Sequence, residues 1–403
     1  MTREILLRAA SAVALTAGIS SAAFATGTVI NGGGSSLVTP TYTAEFATYH
    51  ASHPTVSFTY ASVGSGAGQT GFLNNDATQF ALAAGTTVHF GASDAFLSSS
   101  QVTSYATSAV AAYSGPLIQL PFLGTPITIP FNKLTGQTAL NLNDAQLCQL
   151  FSGKATNLKA VGAGNSTTPL KIVYRTDGSG TSFLLTQHLA AVCNSTNSSI
   201  TFSATTSFAG LFKTLPATFV GAKGSSGVAA ALLANANSIG YLSPDYTSLA
   251  TKSANKTSLL VANLQNATNK VYYSPNTTNT ALGLNNPGAG SVNLTAPSTK
   301  TAAASALNWV PAIPTTKVGY PIVGYTTVEF ASCYKDVNVS TALKSFISLH
   351  LFNAAYQTTQ YGNGFVPVAP AIATAVNNTF SLNSNGYNLN INNPAICKGK
   401  AGR

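Results

Sequence analysis

Tyr174-Arg175-Thr176-Asp177-Gly178-Ser179-Gly180-Thr181-Ser182-Phe183 joins an apolar run at 170–174 (LKIVY) to residues 182–192 (SFLLTQHLAAV), whose apolar side chains recur at helical spacing. The order is strand, glycine turn, helix. Arg175 offers a planar fork of donors suited to an oxyanion, and Asp177 stands where it can brace that fork. Ser179 and Thr181 add hydroxyls. Gly180 and Thr181 add backbone N–H groups at a helix start, where the helix dipole favours negative charge. The alternative for this segment is a surface ion pair beside a serine cap.

Working outward, the same unit recurs. Residues 55–60 (TVSFTY), 87–91 (TVHFG) and two runs within 117–131 read as strands, as do 318–330 (VGYPIVGYTTVEF). Residues 339–357 carry Leu343, Phe346, Ile347, Leu349, Leu351 and Ala354 broadly on one face and predict one amphipathic helix. Alternating strands and helices predict an α/β fold with parallel strands. Residues 251–300, rich in Asn, Thr, Ser and Lys, predict a surface insertion of loops or short strands.

Three further small-residue segments sit at strand ends. They are Asn31-Gly32-Gly33-Gly34-Ser35-Ser36-Leu37, Val63-Gly64-Ser65-Gly66-Ala67-Gly68 and Phe90-Gly91-Ala92-Ser93-Asp94. The first precedes a helix containing Glu45, Phe46 and Tyr49. The second lacks the Gly-Lys-Ser/Thr of a nucleotide-binding loop and the spacing of a dinucleotide loop. The third puts a rare carboxylate at a strand tip, where the alternative is a cap for a helix over 95–105. Alone, each reads first as a turn or a cap.

Composition narrows the function classes. The 403 residues carry 19 Lys+Arg against 9 Asp+Glu, and only 7% are charged, well below the usual ~25%. Arg3 and Arg8, the apolar stretch 9–22 and Ala23-Phe24-Ala25 predict a signal segment, 1–25, cleaved after Ala25. No cysteine lies near that site and no twin arginine precedes it. Loss of Arg3, Glu4 and Arg8 leaves 17 bases against 8 acids, a charge of +9. The bases are scattered, with no nucleic-acid-binding pattern, so nucleic acid is not expected as a partner. No membrane insertion is expected after cleavage. His50, His53, His89, His188 and His350 form no metal-ligand grouping, so no metal is expected.

Cys148, Cys193, Cys333 and Cys397 are even in number and lack a C-x-x-C pair. Export makes disulfides the expectation. Four cysteines allow three pairings. Cys148–Cys193 with Cys333–Cys397 is the sequence-local choice, and the order does not follow from the sequence alone.

Taken together, Y-R-T-D-G-S-G-T-S-F, F-G-A-S-D, I-N-G-G-G, V-G-S-G-A-G, the Cys148 segment (AQLCQLFSG) and the C-K-G-K run at 397–400 resemble the PstS-like phosphate-binding proteins, and more closely their DING branch. The likeness spans nearly the whole exported chain. It departs at Val29, where the name-giving Asp would stand, at Ser36, where relatives carry Thr, and over 251–300. It implies a two-lobed type II periplasmic-binding-protein fold with a hinge and a central cleft. Lobe one would comprise 26–122 and 324–403, lobe two 123–323, with crossings near 117–125 and 318–326.

The resemblance also implies inorganic phosphate as ligand, contacted by Ser36, Leu37, Ser65, Asp94, Arg175, Ser179, Gly180 and Thr181, with Asp177 behind Arg175. Asp94 would accept the P–O–H proton of hydrogen phosphate, which sulfate lacks. No cofactor and no catalytic residue is implied. The protein would be a monomer, periplasmic or secreted, serving an ABC permease in phosphate import or scavenging phosphate outside the cell. A secreted phosphatase of the DING branch is the second reading. A secreted adhesion or matrix protein, suggested by the Ser/Thr/Asn-rich composition, is the third.

Overall fold

The structure is a computed structural model that describes residues 27–292 and 294–403. The signal segment at 1–25 therefore lies outside the described residues.

Two sheets organise the chain. The first has six strands, ordered Val366–Pro367, Leu117–Pro126, Val323–Ala331, Phe90–Ser93, Thr28–Gly34 and Val56–Ser62. Thr28–Gly34 runs parallel to both Val56–Ser62 and Phe90–Ser93, while Val323–Ala331 runs antiparallel to its neighbours. The second sheet has five strands, ordered Leu260–Val261, Pro130–Asn132, Ser238–Gly240, Lys171–Arg175 and Phe219–Ala222. Lys171–Arg175 is parallel to both of its partners. The first sheet draws on both ends of the chain and the second on the middle. This is the two-lobed, mixed α/β architecture of periplasmic binding proteins.

Helices cover the sheets through large apolar side chains. Helix Thr39–Ser52 presents Tyr42, Phe46 and Tyr49 to the first sheet, where Phe46 stacks on Phe58 and meets Phe90 and Phe346. Behind them His350 is buried between the Glu45 carboxylate (2.7 Å) and the Phe122 carbonyl (3.0 Å). Cys148–Cys193 and Cys333–Cys397 are bonded, closing separations of 45 and 64 residues. On the chain-entropy account each is worth about 4 kcal/mol. The first bond ties the far end of the helix that follows Arg175 to helix Asp144–Phe151.

Several expectations are corrected. The stretch 339–357 is two helices, Val337–Phe352 and Ala354–Gly362, because Asn353 leaves helical geometry and caps the second through its side chain. The strand expected at 87–91 is Phe90–Ser93, and the helix expected at 95–105 is Ser99–Ala106, capped by Ser98 and not by Asp94. Residues 251–300 are not a mere surface insertion. Leu260–Val261 pairs with Pro130–Asn132 in the second sheet, Leu259, Ala262, Leu264 and Asn266 are buried, and 277–285 forms a helix. The polar composition hid this, since these elements bury single apolar side chains and not a stripe.

Candidate functional site

Five strands end at one place. Ser35 and Ser36 follow Thr28–Gly34, Ser65 follows Val56–Ser62, Asp94 follows Phe90–Ser93, Arg175 ends its strand and Gly224 follows Phe219–Ala222. Carboxyl ends of strands at the meeting of two sheets are where α/β folds place ligands. Ser36, Leu37, Ser65, Asp94, Arg175, Ser179 and Thr181 are each at most 3% exposed. Gly180 is buried with them.

The two lobes touch across this point. The Ser225 N–H donates to Ser36 Oγ (3.0 Å), and the Gly66 N–H donates to the Gly178 carbonyl (2.9 Å). Gly64 has φ of 91°, and a Cβ there would strike the Asp177 carboxylate. One on Gly180 would strike Ser65 and Asp94. Glycine is required at both positions for the lobes to approach this closely.

The hydroxyls divide into two sets by where their own protons go. Ser36 Oγ accepts the Ser225 N–H, Ser65 Oγ the Asp94 N–H (3.1 Å), Ser179 Oγ the Ser182 N–H (3.1 Å) and Thr181 Oγ1 an Arg175 Nη1–H (3.5 Å). Each keeps its own proton to donate, although Ser36 also lies 3.0 Å from Ser225 Oγ. Ser35 and Thr326 behave oppositely. Ser35 donates to Asp94 Oδ2 (2.7 Å) and Thr326 to Asp94 Oδ1 (2.8 Å). The Leu37 N–H is given to Ser35 Oγ at 3.1 Å.

Charge is arranged with equal economy. Arg175 Nε and Nη2 grip Asp177 at both oxygens (2.8 and 2.5 Å), and the Gly224 N–H adds a third bond to Asp177 (3.0 Å). Burial alone would raise the Asp177 carboxyl, but these donors hold it below the usual carboxylate range. Asp94 is different. Burial raises it, and the Ser35 and Thr326 hydroxyls and the Arg175 charge offset only part of that rise. Glu329 and Asp245 lie close enough to feel Asp94. Burial pushes Glu329 up to about 8 and Asp245 well above the carboxylate range.

Ser35, Thr326, Ser225 and Tyr241, whose hydroxyl accepts the Arg175 N–H (2.9 Å), carry site geometry that the sequence reading missed. Gly224-Ser225-Ser226-Gly227, the first turn of a helix, is a fifth small-residue run and offered a signal. Thr326 offered none. Among the described residues, no group of three or more His, Cys, Asp or Glu could hold a metal ion.

Two α/β lobes closing on a buried cluster of hydroxyls, helix starts and a braced arginine define a solute-binding protein for a small oxyanion. The PBP superfamily domain matches residues 20–349. The chain belongs to that superfamily, in the DING branch of its PstS-like phosphate-binding proteins. It is 37% identical over 347 residues to alkaline phosphatase L of Pseudomonas aeruginosa, covering 85% of this chain and 87% of that one. A phosphate-binding protein from Stenotrophomonas maltophilia superposes with a TM-score of 0.76 at 31% identity, covering 93% of this chain and 99% of that one. The high-affinity periplasmic phosphate-binding protein PfluDING, solved with bound phosphate, gives a TM-score of 0.78 at 34% identity with the same coverage.

Proposed function

We propose that the protein binds inorganic phosphate, as hydrogen phosphate, in the cleft between its lobes. The carrying observation is the division of the hydroxyls. Ser36, Ser65, Ser179 and Thr181 are left as donors, while the one carboxylate among them, Asp94, is left as an acceptor. That set matches an anion of several bare oxygens and one P–O–H. Arg175 supplies the charge, the N–H groups of Gly180 and Thr181 complete the donors, and Asp177 fixes the guanidinium, while the Leu37 N–H expected among them is engaged by Ser35 Oγ. Sulfate would set a bare oxygen against Asp94, and a site built around one such hydrogen bond can reject the analogue lacking it by ~10⁴–10⁵.

Lobe one comprises 26–122 and 324–403 in this reading, and lobe two 123–323. The two disulfides favour an oxidising compartment, periplasmic or extracellular, with cleavage after Ala25. A permease of the ABC class is the partner if the protein stays in the periplasm. The reading is tested by denaturing protein purified without added phosphate, assaying the released anion, and titrating the stripped protein calorimetrically. Near-stoichiometric phosphate, with sulfate giving no heat, is the expected result. Absence of both bound phosphate and binding heat would overturn it.

The 37% identity to alkaline phosphatase L is the observation that keeps hydrolysis as a second reading. Turnover of p-nitrophenyl phosphate by the wild type, abolished in Arg175→Ala, would support it.

A further inference from the structure

We propose that Thr326 is a specificity-determining positioning residue: its hydroxyl, with that of Ser35, holds Asp94 as a pure acceptor and so makes the cleft select an anion that carries a proton. This rests on the phosphate reading above and deepens it.

The register of the first sheet puts Thr326 where it can act. Thr327 pairs with Ser93, so the next antiparallel step sets Thr326 beside Asp94. At the same point the pairing with Leu117–Pro126 slips: Thr326 faces Leu123 but Thr327 faces Pro121, leaving Phe122 as an extra residue. The extra residue bends Leu117–Pro126 and increases the twist of the ladder beside Thr326. Thr326 is fully buried and spends its hydroxyl on Asp94 Oδ1, while Thr327 turns to the Ser93 carbonyl and Glu329.

The chemistry explains why two hydroxyls are needed. Burial disfavours the Asp94 charge, and the titratable groups that face it, Glu329 on its neighbouring strand, Asp245 on the opposite lobe and the Tyr42 and Tyr60 hydroxyls, are each raised in turn by that charge. Only Arg175 favours it by charge. A neutral Asp94 could donate a proton to a bare oxygen and would welcome sulfate. A hydroxyl donating to each oxygen favours the ionised form of Asp94 over the neutral acid. The lone pairs that remain accept from the ligand.

The test compares Thr326→Val, which keeps the shape and deletes the donor, with Thr326→Ser, which keeps the donor. Phosphate and sulfate affinities are measured calorimetrically from pH 5 to 8. Losing a charge-assisted bond predicts a fall of about tenfold in phosphate-over-sulfate preference for Thr326→Val. The onset of sulfate binding should move to higher pH, because the ionised form of Asp94 has lost a donor. Thr326→Ser should stay near wild type. Should Thr326→Val not fold, Thr326→Ala is read in the same way. Wild-type preference and pH profile in the folded donor-less variant overturn the inference while leaving phosphate binding intact. A wild type without any phosphate preference overturns the reading beneath it.

Discussion

Asp94 and Asp177 lie in the same cleft, one on each lobe, and are treated oppositely. Asp177 meets N–H donors only, the Arg175 fork and the Gly224 amide, and its carboxyl is held low. Asp94 meets two side-chain hydroxyls, and burial leaves its carboxyl raised. The first is a permanent counterion whose protonation state is settled by a full charge beside it. The second sits nearer balance, so its state depends on what it faces. Two carboxylates of identical chemistry thus stand in opposite surroundings, one bracing an arginine and the other left to accept, which is the basis for the proton-reading role proposed for Asp94.

The largest effect should come from breaking the reader. Asp94→Ala is expected to weaken phosphate binding and to cut the phosphate-over-sulfate preference by roughly a thousandfold, from a starting discrimination of ~10⁴–10⁵. Competitive titration calorimetry measures it. An unchanged preference would show that Asp94 does not read the ligand's proton.

Next comes the other half of the comparison. Arg175→Ala removes the charge proposed to meet the anion and strands Asp177, so phosphate affinity should fall by more than ~2 kcal/mol. Asp177→Asn leaves the guanidinium charge and should cost less. Wild-type affinity in Arg175→Ala would show that this arginine does not touch the ligand.

The same contrast marks what was legible in the sequence. Arg175, Asp177, Ser179 and Thr181 lie within seven residues, so one strand–turn–helix reading assembles that half of the site. The Asp94 half is assembled by the fold. Thr326 is 232 residues from Asp94 and reaches it only through sheet register, which leaves no mark in composition or periodicity. Ser225 stands 189 residues from Ser36 and meets it across the two sheets. Elsewhere, the split of 339–357 turned on one residue, Asn353, whose capping preference the apolar periodicity masked. The burial of Leu259, Ala262 and Leu264 was masked by polar neighbours.

The smallest effect is also the one that separates the two acids without any ligand. Asp177 is held below its unfolded value, so its contribution to stability is present above that value, near ~3.9, and is lost as pH falls through the folded one. Asp94 is held above its unfolded value, so its contribution is present at acid pH and is lost as pH rises. In phosphate-free buffer, the melting-temperature deficit of Asp177→Asn should therefore be largest at pH 6 to 8 and shrink toward pH 3. Asp94→Asn should behave in the opposite sense, gaining on the wild type as pH rises, with shifts of a few degrees at most for a chain of this size. Differential scanning fluorimetry across that range reads both. Profiles that run parallel for the two variants would mean the acids share one environment, and the division of labour between them would fall.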